Sequence, residues 1–578
     1  MSFDGNIAIT SMRDLAQIFR CFGLAFSLLV LPAGSFAGTD LGAGRYGDTL
    51  WVHHPPDPVV VRNGNFFLPV QDLYLPCFGF PLEVYRSYNS LSDRDGPFGK
   101  GWTLNYDLQI IVDEQTGMRV AEADGFVNEF TAVDQDESDR TSQISRIVDA
   151  KKQEDAKYTG KPEGKGDDFY ATYRSRLTTE EEFFKRQRER YLPKVSKISK
   201  SGKYVSRKRG TTYIEKTPAG YVRTTETGRS EEYDSGGLLK RIVDRNDNDL
   251  RLSYDPRSRL SRVEDGCGQW LLFQYTPKGK ISEIRDSLER KLTYQYDKED
   301  RMTVSVSLAN EKTSYQYDKK NQMTALVFSD GARTDITYDP KAGSVTKQVG
   351  PGQKVTNYQY GHDGATKWAL VTDNEGTKNK YEYNEPENKI VFTDKAGKKV
   401  ITIVTACCGK PLSIKDEKGV GEEFRYDDKG DLISKTDAQK HITTYKYEPR
   451  FDLPSEIKMH DGTALHFRYD SRGNLTFLSS SSGEHVKMTY EKHGKIQRMS
   501  NDRDQTIVFT YNPAGKPTRI EKMQKETRVG SIAISYDRMG EIGKVEYEPK
   551  NAEVLQNIKD TLASFLRFLK PSGIDFEI

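Results

Sequence analysis

The sequence has no excess of charge of either sign and contains little cysteine. Its 578 residues include 87 Lys and Arg against 85 Asp and Glu, and five cysteines. A balanced charge gives no global electrostatic reason for nucleic-acid binding, so we expect no nucleic-acid partner. So few cysteines in a chain of this length exclude a scaffold that is built from disulfides.

The chain also lacks long apolar runs and the short motifs of familiar enzymes. Beyond the N-terminal region no apolar stretch of about 18 residues occurs, so we expect no transmembrane span in the mature chain. There is no G-x-S-x-G, H-E-x-x-H or P-loop sequence. His53 and His54 are adjacent and have no Cys or acidic partner at useful spacing, which disfavours a metal site. We therefore expect no catalytic residues, no cofactor, no metal and no enzyme activity.

Residues 1–37 have the layout of a secretion signal. Arg13 and Arg20 precede an apolar run over residues 21–31, and small residues lead up to Ala37. We predict cleavage after Ala37 and export to the periplasm, the cell surface or the exterior. An uncleaved N-terminal anchor is the alternative.

Removal of residues 1–37 leaves four cysteines, namely Cys77, Cys267, Cys407 and Cys408. Four thiols allow three pairings, and the sequence does not choose among them. The adjacent Cys407 and Cys408 lack the C-x-x-C spacing of a redox or metal site. The favoured interpretation is two small buried residues in a degenerate turn.

The strongest positive signal is a tyrosine that recurs at nearly constant spacing between residues 233 and 540. The unit around it reads L-x-Y-x-Y-D-x-x-G-x-L, with the apolar and polar alternation of a half-buried strand. The Asp can accept hydrogen bonds from backbone amides further on, and the Gly can take a positive φ. Each unit is therefore predicted to be a strand–turn–strand that stacks on its neighbours. The fourteen repeat tyrosines are Tyr233, Tyr254, Tyr275, Tyr296, Tyr317, Tyr338, Tyr360, Tyr383, Tyr426, Tyr447, Tyr469, Tyr490, Tyr511 and Tyr536.

These copies resemble the YD repeats of the RHS family, which also occur in teneurins. A second stretch, with PLE at 81–83, RSYNS at 86–90 and GPFGKGW at 96–102, resembles the leader domain that opens many RHS shells. The resemblance implies an all-β fold whose strands wind into a spiral sheet or a partial hollow shell, with the leader sealing one end. The residues of this stretch predict two strands, a Gly/Pro loop and a strand anchored by Trp102. The autoprotease and toxin that usually end such chains have no counterpart after the last repeat.

Composition and pattern divide the chain into five predicted segments. They are a signal peptide over 1–37, a β-structured leader domain over 38–130, a charged insertion with a short helix over 131–210, the repeats over 211–550, and an amphipathic helix with a tail over 551–578. Within the insertion, residues 134–168 are predicted to form a mobile loop, and 178–182 to begin a helix that ends near Tyr191. The basic run over 194–209 is interpreted as a solvated strand face, with an anionic ligand as the alternative.

Apolar residues at three- and four-residue spacing between 551 and 570 predict the C-terminal amphipathic helix. Two interpretations stay open. The helix packs against its own shell, or it docks a partner protein or a membrane surface. The candidate docking residues are Leu555, Ile558, Leu562, Phe565, Leu566 and Leu569.

The favoured function is an exported, non-enzymatic scaffold or interaction protein of the cell envelope or exterior. One alternative is a toxin-delivery or encapsulation shell whose cargo is a separate chain. Another is a carbohydrate-binding surface protein, in which outward-facing tyrosines would stack on sugar rings. An enzyme of an unrecognised type is the remaining alternative.

Overall fold

The structure is a computed structural model of the chain. It describes residues 58–114, 117–133, 140–159, 161, 162, 164–192, 198–206, 211–405, 409–427, 429–537, 540, 542–549 and 553–569. The predicted signal peptide over 1–37, His53, His54, Cys407 and Cys408 lie outside the described residues, as do 194–197 and 207–209 of the basic run.

The first strands form a small sheet of their own. They are Val59–Val60 (β1), Asn65–Leu75 (β2), Leu82–Asn89 (β3), Asp95–Gly96 (β4), Gly99–Lys100 (β5) and Trp102–Leu104 (β6). The order β1-β2-β3-β6 makes a four-stranded antiparallel sheet, here called the leader sheet, and β4 and β5 form a short hairpin. The predicted pair of strands, the loop and the strand anchored by Trp102 are thus confirmed.

The remaining strands form one antiparallel sheet of 36 strands, in which each strand pairs with the next along the chain. Its first four strands are Gln109–Asp113 (β7), Gly117–Ala121 (β8), Val127–Ala132 (β9) and Lys203–Ser206 (β10). The predicted leader segment 38–130 therefore contributes to two sheets. Besides the leader sheet it contains β7, β8 and the first residues of β9, which belong to the large sheet.

The repeats supply the other strands of the large sheet. They are Thr212–Thr217 (β11), Gly220–Thr224 (β12), Ser230–Asp234 (β13), Leu239–Val243 (β14), Asp249–Tyr254 (β15), Leu260–Asp265 (β16), Trp270–Tyr275 (β17), Ile281–Asp286 (β18), Lys291–Tyr296 (β19), Met302–Val306 (β20), Lys312–Tyr317 (β21), Met323–Val327 (β22), Arg333–Tyr338 (β23), Val345–Gly350 (β24), Lys354–Asp363 (β25), Thr366–Thr372 (β26), Lys378–Asn384 (β27), Lys389–Thr393 (β28), Lys399–Val404 (β29), Pro411–Asp416 (β30), Gly421–Tyr426 (β31), Leu432–Thr436 (β32), Ile442–Glu448 (β33), Leu453–Lys458 (β34), Ala464–Tyr469 (β35), Leu475–Ser480 (β36), His485–Tyr490 (β37), Ile496–Asn501 (β38), Gln505–Tyr511 (β39), Pro517–Gln524 (β40), Thr527–Tyr536 (β41) and Ile542–Glu548 (β42). A 3-10 turn at Pro351–Gln353 joins β24 to β25. The predicted all-β array of stacked hairpins is confirmed.

The large sheet curls until it meets itself. Gln109 in β7 forms a β-bridge with Leu238, just before β14, so the first strands close into a ring. Among the described residues β42 pairs only with β41, so the sheet as a whole stays open. Later strands then pass beside earlier ones, since Asn246 is hydrogen-bonded to Asn474, 228 residues further on. Such contacts show the predicted spiral winding.

The insertion contains three helices, which corrects the prediction for this segment. They are Arg140–Thr159 (α1), Asp167–Thr179 (α2) and Glu181–Tyr191 (α3). The mobile loop predicted over 134–168 is wrong for its helical part, because Ile144, Ile147 and Val148 pack with aromatic residues of the other two helices in a small apolar core. The helix end near Tyr191 is confirmed. The three helices connect adjacent strands, since Tyr204 in β10 lies opposite Ala132 in β9.

The last described element is the predicted C-terminal helix, Glu553–Leu569 (α4). It packs against the closing strands of the same sheet through a cluster that includes Val554, Ile558, Ile520 and Ile532. No helix within the described ranges has both the length and the apolar character that a bilayer crossing requires.

Candidate functional site: a wound sheet closed by its leader

The repeat tyrosines lie at strand ends on one face of the sheet, here called the inner face, which also packs against the leader sheet and α4. Ten of them donate their hydroxyl to a backbone carbonyl oxygen of the preceding hairpin. Tyr296 reaches Ile281 at 2.6 Å, and Tyr490 reaches Leu475 at 2.6 Å. Burial raises the pKa of both phenols, which keeps them protonated donors. The ten are Tyr254, Tyr275, Tyr296, Tyr338, Tyr426, Tyr447, Tyr469, Tyr490, Tyr511 and Tyr536.

In nine of these ten bonds the acceptor lies 15 residues earlier, so the bond joins one hairpin to the one before it. Phenylalanine would fill the same space but would leave this carbonyl without its donor. The hydroxyl bond therefore gives these ten tyrosines a role that phenylalanine could not fill. Sequence reasoning found the spacing but missed this role.

The turn residues act as the sequence predicted. Asp297 Oδ1 accepts hydrogen bonds from the backbone amides of Glu299 and Arg301, both at 3.0 Å. At the position four residues after the tyrosine, Gly279 has a φ of 89° and Asn321 a φ of 63°. The same arrangement recurs from copy to copy and fixes where each strand reverses.

A buried ion pair anchors the leader sheet on the inner face of the early repeats. Arg86 in β3 is 1% exposed and donates to both carboxylate oxygens of Asp72 in β2, at 2.6 and 3.1 Å. The guanidinium also donates to the Tyr315 hydroxyl at 2.9 Å and lies over the Trp102 ring, 4.7 Å from its centre. Tyr294 donates to Asp72 at 2.7 Å. Two repeat strands thus supply Tyr294 and Tyr315 to a polar site whose ion pair lies in the leader sheet.

The leader motifs make further contacts with the repeats. Trp102 Nε1 donates to the Tyr317 hydroxyl at 3.0 Å. The Tyr88 hydroxyl donates to the carbonyl of Asn321 at 3.1 Å and accepts from the amide of Met323 at 2.9 Å. The residues that carry the resemblance to an RHS leader are therefore those that hold the leader sheet in place.

A disulfide fastens the leader sheet to the repeats. Cys77, just after β2, is bonded to Cys267 in the turn between β16 and β17, with 5.9 Å between their Cα atoms. This is one of the pairings that the sequence left open. Beside it, Gln269 Nε2 donates to the carbonyl of Pro76 at 2.9 Å. Asp265 lies close to both sulfur atoms, but the disulfide removes the thiolates that a metal site would use.

Early and late repeats meet along a line of turns that we call the seam. Its early side consists of turns 244–248 and 265–269, and its late side of turns 470–474, 491–495 and 512–516. Asn246 and Asn474 exchange side-chain amide hydrogen bonds at 3.2 and 2.8 Å. Asn248 Nδ2 donates to the carbonyl of His493 at 2.9 Å. The seam therefore joins two windings of the sheet without strand pairing.

The leader loop over 76–79 enters the seam and contacts both windings. Phe78 stacks on His493 of the late winding, with ring centres 4.8 Å apart. Gly79 sits against Asn248 of the early winding, and a Cβ at Gly79 would lie 2.2 Å from that side chain. A larger residue at position 79 would therefore push the loop out of the seam.

A polar cleft of about 360 Å³ opens at the seam. Three of its four carboxylates, those of Asp247, Asp249 and Glu264, pair with neighbouring arginines, and Asp265 accepts hydrogen bonds from backbone amides and from Gln269. Asp249 accepts from Arg241 at 2.8 Å and from Arg251 at 2.9 Å, and Glu264 pairs with Arg262 at 2.9 Å. The charges of this cleft therefore stabilise the wall, and the described residues place no free acid–base pair there.

A second buried ionic cluster lies where the first strands close into a ring. Arg223 donates to both carboxylate oxygens of Glu122, at 3.0 and 2.8 Å, and to Glu231 at 3.3 Å. Arg229 and the Tyr233 hydroxyl also donate to Glu231. Burial opposes ionisation of Glu231, but the two arginines outweigh it and lower the pKa of this carboxyl to about 2. The cluster joins the β8–β9 turn to β12 and β13.

One buried carboxyl in the leader sheet has no ionic partner among the described residues. Glu83 in β3 is 4% exposed, and its Oε2 atom accepts no hydrogen bond. Burial raises the pKa of Glu83 to about 7. Its ionisation therefore falls near neutral pH.

Five of the six predicted docking residues of α4 face the sheet of their own chain or lie at its margin. Leu555, Ile558 and Phe565 are 8%, 2% and 1% exposed. Leu562 and Leu569 pack at the edge of the same cluster, and the side chain of Leu566 lies outside the described residues. The structure thus favours the interpretation in which the helix packs against its own shell. The buried positions offer no free surface to a partner.

The middle repeats differ from their neighbours on both sides. Over residues 384–444, none of the described apolar side chains is fully buried. The strands concerned, β28 to β32, keep the repeat pattern, the turns and the Tyr426 hydroxyl bond. Their inner face is therefore built like that of the early repeats but is partly exposed.

Comparisons with known proteins found a family that matches one part of the chain and solved structures with a limited similarity to it. No curated protein matches the sequence. Residues 56–130 match a family described as a domain of unknown function, DUF6531. This region contains the motifs that resemble an RHS leader.

Among solved structures, the chain is similar to a Photorhabdus luminescens Tc holotoxin pore, with 14% identity and a TM-score of 0.40, over 60% of this chain and 24% of that chain. It is also similar to a TcdB2–TccC3 structure, with 14% identity and a TM-score of 0.43, over 61% of this chain and 22% of that chain. The chain thus spans about a quarter of the length of the solved chains that it matches.

Proposed function

We propose that this protein is an exported, non-catalytic scaffold of the cell envelope or exterior, whose wound sheet binds a protein partner. The observation that carries the proposal is the seam, where a disulfide fastens the leader loop to the early repeats, and hydrogen bonds and ring stacking join them to the late repeats. A wound sheet that is fastened in this way, here called the wall, can act as a rigid support for a partner. The buried guanidinium groups of Arg86 and Arg223 are paired with carboxylates, so these charges are engaged in holding the wall.

Export is supported by two independent features. Residues 1–37 resemble a signal peptide, and disulfides persist in oxidising compartments. The test is to express the full chain in its host and to isolate it from each cell fraction under thiol-blocking conditions. We expect a mature chain that begins after Ala37 and a proteolytic fragment that joins Cys77 to Cys267. The Cys267→Ser variant is the control, and a full-length cytosolic chain with both thiols free would refute export.

The partner is tested by affinity purification of the tagged full chain from its host, read by mass spectrometry. We expect one protein to be recovered in stoichiometric amount. The matched variant is a chain with Gly79→Leu, whose side chain would strike Asn248 and so disturb the seam. Recovery of no protein, or of the same proteins from an unrelated exported chain, would count against a scaffold.

A second candidate function is an encapsulating shell whose cargo is a separate chain. The observation in its favour is the partly exposed inner face of β28 to β32, since apolar surface left uncovered in a soluble wall marks a binding region. Co-expression with the small proteins encoded beside it should yield one that is protected from protease only in the complex. Full digestion of every such protein would contradict this candidate.

Carbohydrate binding through stacked tyrosines is not supported by this geometry. That alternative requires the repeat tyrosines to face outward. Those in the hydroxyl series instead lie on the inner face, with their hydroxyls bonded to the backbone.

A further inference from the structure

The inner face of β28 to β32 is less buried than the inner face of the early repeats. Residues at the same repeat positions in β19 and β31 differ in their exposure. Leu292 and Tyr294 in β19 are 1% and 4% exposed, whereas Glu422 and Phe424, at the same repeat positions in β31, are partly exposed. Side chains at these positions point to the inner face, because they alternate with Arg425, which is exposed on the outer face.

This surface is mainly apolar and carries one ion pair. Lys435 and Glu422 are 2.8 Å apart. Register along the ladder places the other members on the same face, since Phe392 lies opposite Val400 and Ile414 opposite Glu422. The partly exposed apolar members are Ile390, Phe392, Val400, Ile414, Phe424 and Leu432.

Segments of the chain that lie outside the repeats cover the inner face on both sides of this surface. On the early side, Val61 of the leader packs with Tyr381 and Tyr383. On the late side, Phe568 and Leu569 at the end of α4 pack against a cluster from β33 to β36. The two covers reach the margins of this surface, at Ile390 and Phe392 on the early side and at Leu432 on the late side. Among the described residues the gap between the covers is therefore centred on Val400, Ile414 and Phe424.

The direction of α4 points into this gap. Near its start, Val554 lies against Gly530 in β41, and Asn557 accepts a hydrogen bond from Lys522 in β40. Its last residues reach the β33 to β36 cluster. The helix therefore crosses the inner face from β41 towards β33, and its last residue, Leu569, packs on the same cluster as Leu432 in β32.

We propose that residues 570–578 lie across the inner face of β28 to β32 and cover it. These nine residues lie outside the described residues, and in extended form they reach about 30 Å. Five adjacent strands span only about 19 Å. Ile574, Phe576 and Ile578 alternate with Asp575 and Glu577, so an extended segment presents one apolar side to the sheet and one acidic side to solvent.

The test uses the full chain with the photo-crosslinking residue p-benzoylphenylalanine in place of Phe424. The control carries it in place of Arg425, the outward-facing neighbour. After irradiation and proteolysis, mass spectrometry should find an adduct with a peptide from 570–578 only for the inner position. An adduct with residues 38–57, an adduct between two copies of the chain, or no excess over the control would each overturn the proposal.

A second measurement separates the docking of the tail from its mere proximity. In the chain with the crosslinker at position 424, the pair Ile574→Asp and Phe576→Asp should lower the adduct yield about tenfold or more, because two apolar side chains lose their burial. The matched pair Asp575→Asn and Glu577→Gln should leave the yield unchanged. Equal yields in the two pairs would overturn the proposal.

Discussion

The early and the middle repeats share one sequence pattern but differ in burial. Both have the turn aspartates, and both have the tyrosine hydroxyl bond, from Tyr296 to Ile281 and from Tyr426 to Pro411. Only the early repeats lie under the leader sheet, and there many inner side chains, such as those of Leu292 and Tyr294, are fully buried. The repeat thus specifies a hairpin and its stacking, while the core is made where another part of the chain covers the sheet.

The largest expected difference in stability is between loss of the buried ion pair under the leader sheet and loss of the ion pair in the middle repeats. Arg86→Leu should lower the free energy of unfolding by about 3–5 kcal/mol, because it leaves Asp72 charged and buried. Lys435→Leu breaks the ion pair with Glu422 on the partly exposed surface and should cost about 1 kcal/mol or less. Urea unfolding followed by tryptophan fluorescence measures both. Equal losses would show that the leader sheet does not bury its anchor.

Truncation of an apolar side chain should likewise lower the free energy of unfolding more in the early repeats than in the middle repeats. Ile284 in β18 is 1% exposed, and Ile284→Ala should cost about 2–5 kcal/mol because it opens a cavity. Ile414 occupies the same repeat position in β30 but is partly exposed. In a chain that ends at Leu569, Ile414→Ala should cost only about 1 kcal/mol, since less apolar area leaves water there. A larger loss at Ile414 than at Ile284 would contradict the comparison.

Glu83 makes the stability of the covered region depend on pH. Its pKa is raised to about 7 by burial, so the folded chain holds this proton where the unfolded chain has released it. The contribution of this group to the free energy of unfolding is fully present below the ordinary carboxyl pKa. It is lost as the pH rises from there through about 7. Glu83→Gln should remove this dependence and stabilise the chain at pH 8 by about 3 kcal/mol at most. Melting temperatures at pH 5 and pH 8 test it, and an unchanged slope would refute this assignment.

The smallest effect should be the same in both regions. Tyr296→Phe and Tyr426→Phe each remove a hydroxyl bond to a backbone carbonyl and should each cost about 1 kcal/mol. Paired denaturation curves of the two variants provide the measurement. A loss confined to Tyr296 would mean that the bond matters only beneath the leader sheet.

Local features of the fold could be predicted from the sequence because they depend on residues close together in the chain. The turn after Tyr296 needs an Asp and a residue that tolerates positive φ, and both stand within a few positions of each other. The helices of the insertion were harder to predict from the sequence. Ile144 and Ile147 form a helix because Tyr170 and Leu177 cover them, and the polar, Gly-rich residues between hid that pairing.

The leader anchor could not be predicted for a different reason. Asp72 is the extra residue of a β-bulge between Gln71 and Leu73, which breaks the alternation that sequence reasoning follows. Its partner Arg86 looks like one more charged residue in a strand. Only the packing of β2 and β3 on Tyr294 and Tyr315 turns these two residues into a buried site.

The sequence by itself determined the hairpin, the turn and the period of the sheet, since each depends on contacts within one or two copies of the repeat. The tertiary structure decided which copies are buried, which cysteines pair and where α4 lies. Cys77 and Cys267 are 190 residues apart, and Asn246 and Asn474 are 228 residues apart. Contacts at such separations follow from the curvature of the whole winding, which accumulates small twists over many strands and is not encoded in any single repeat.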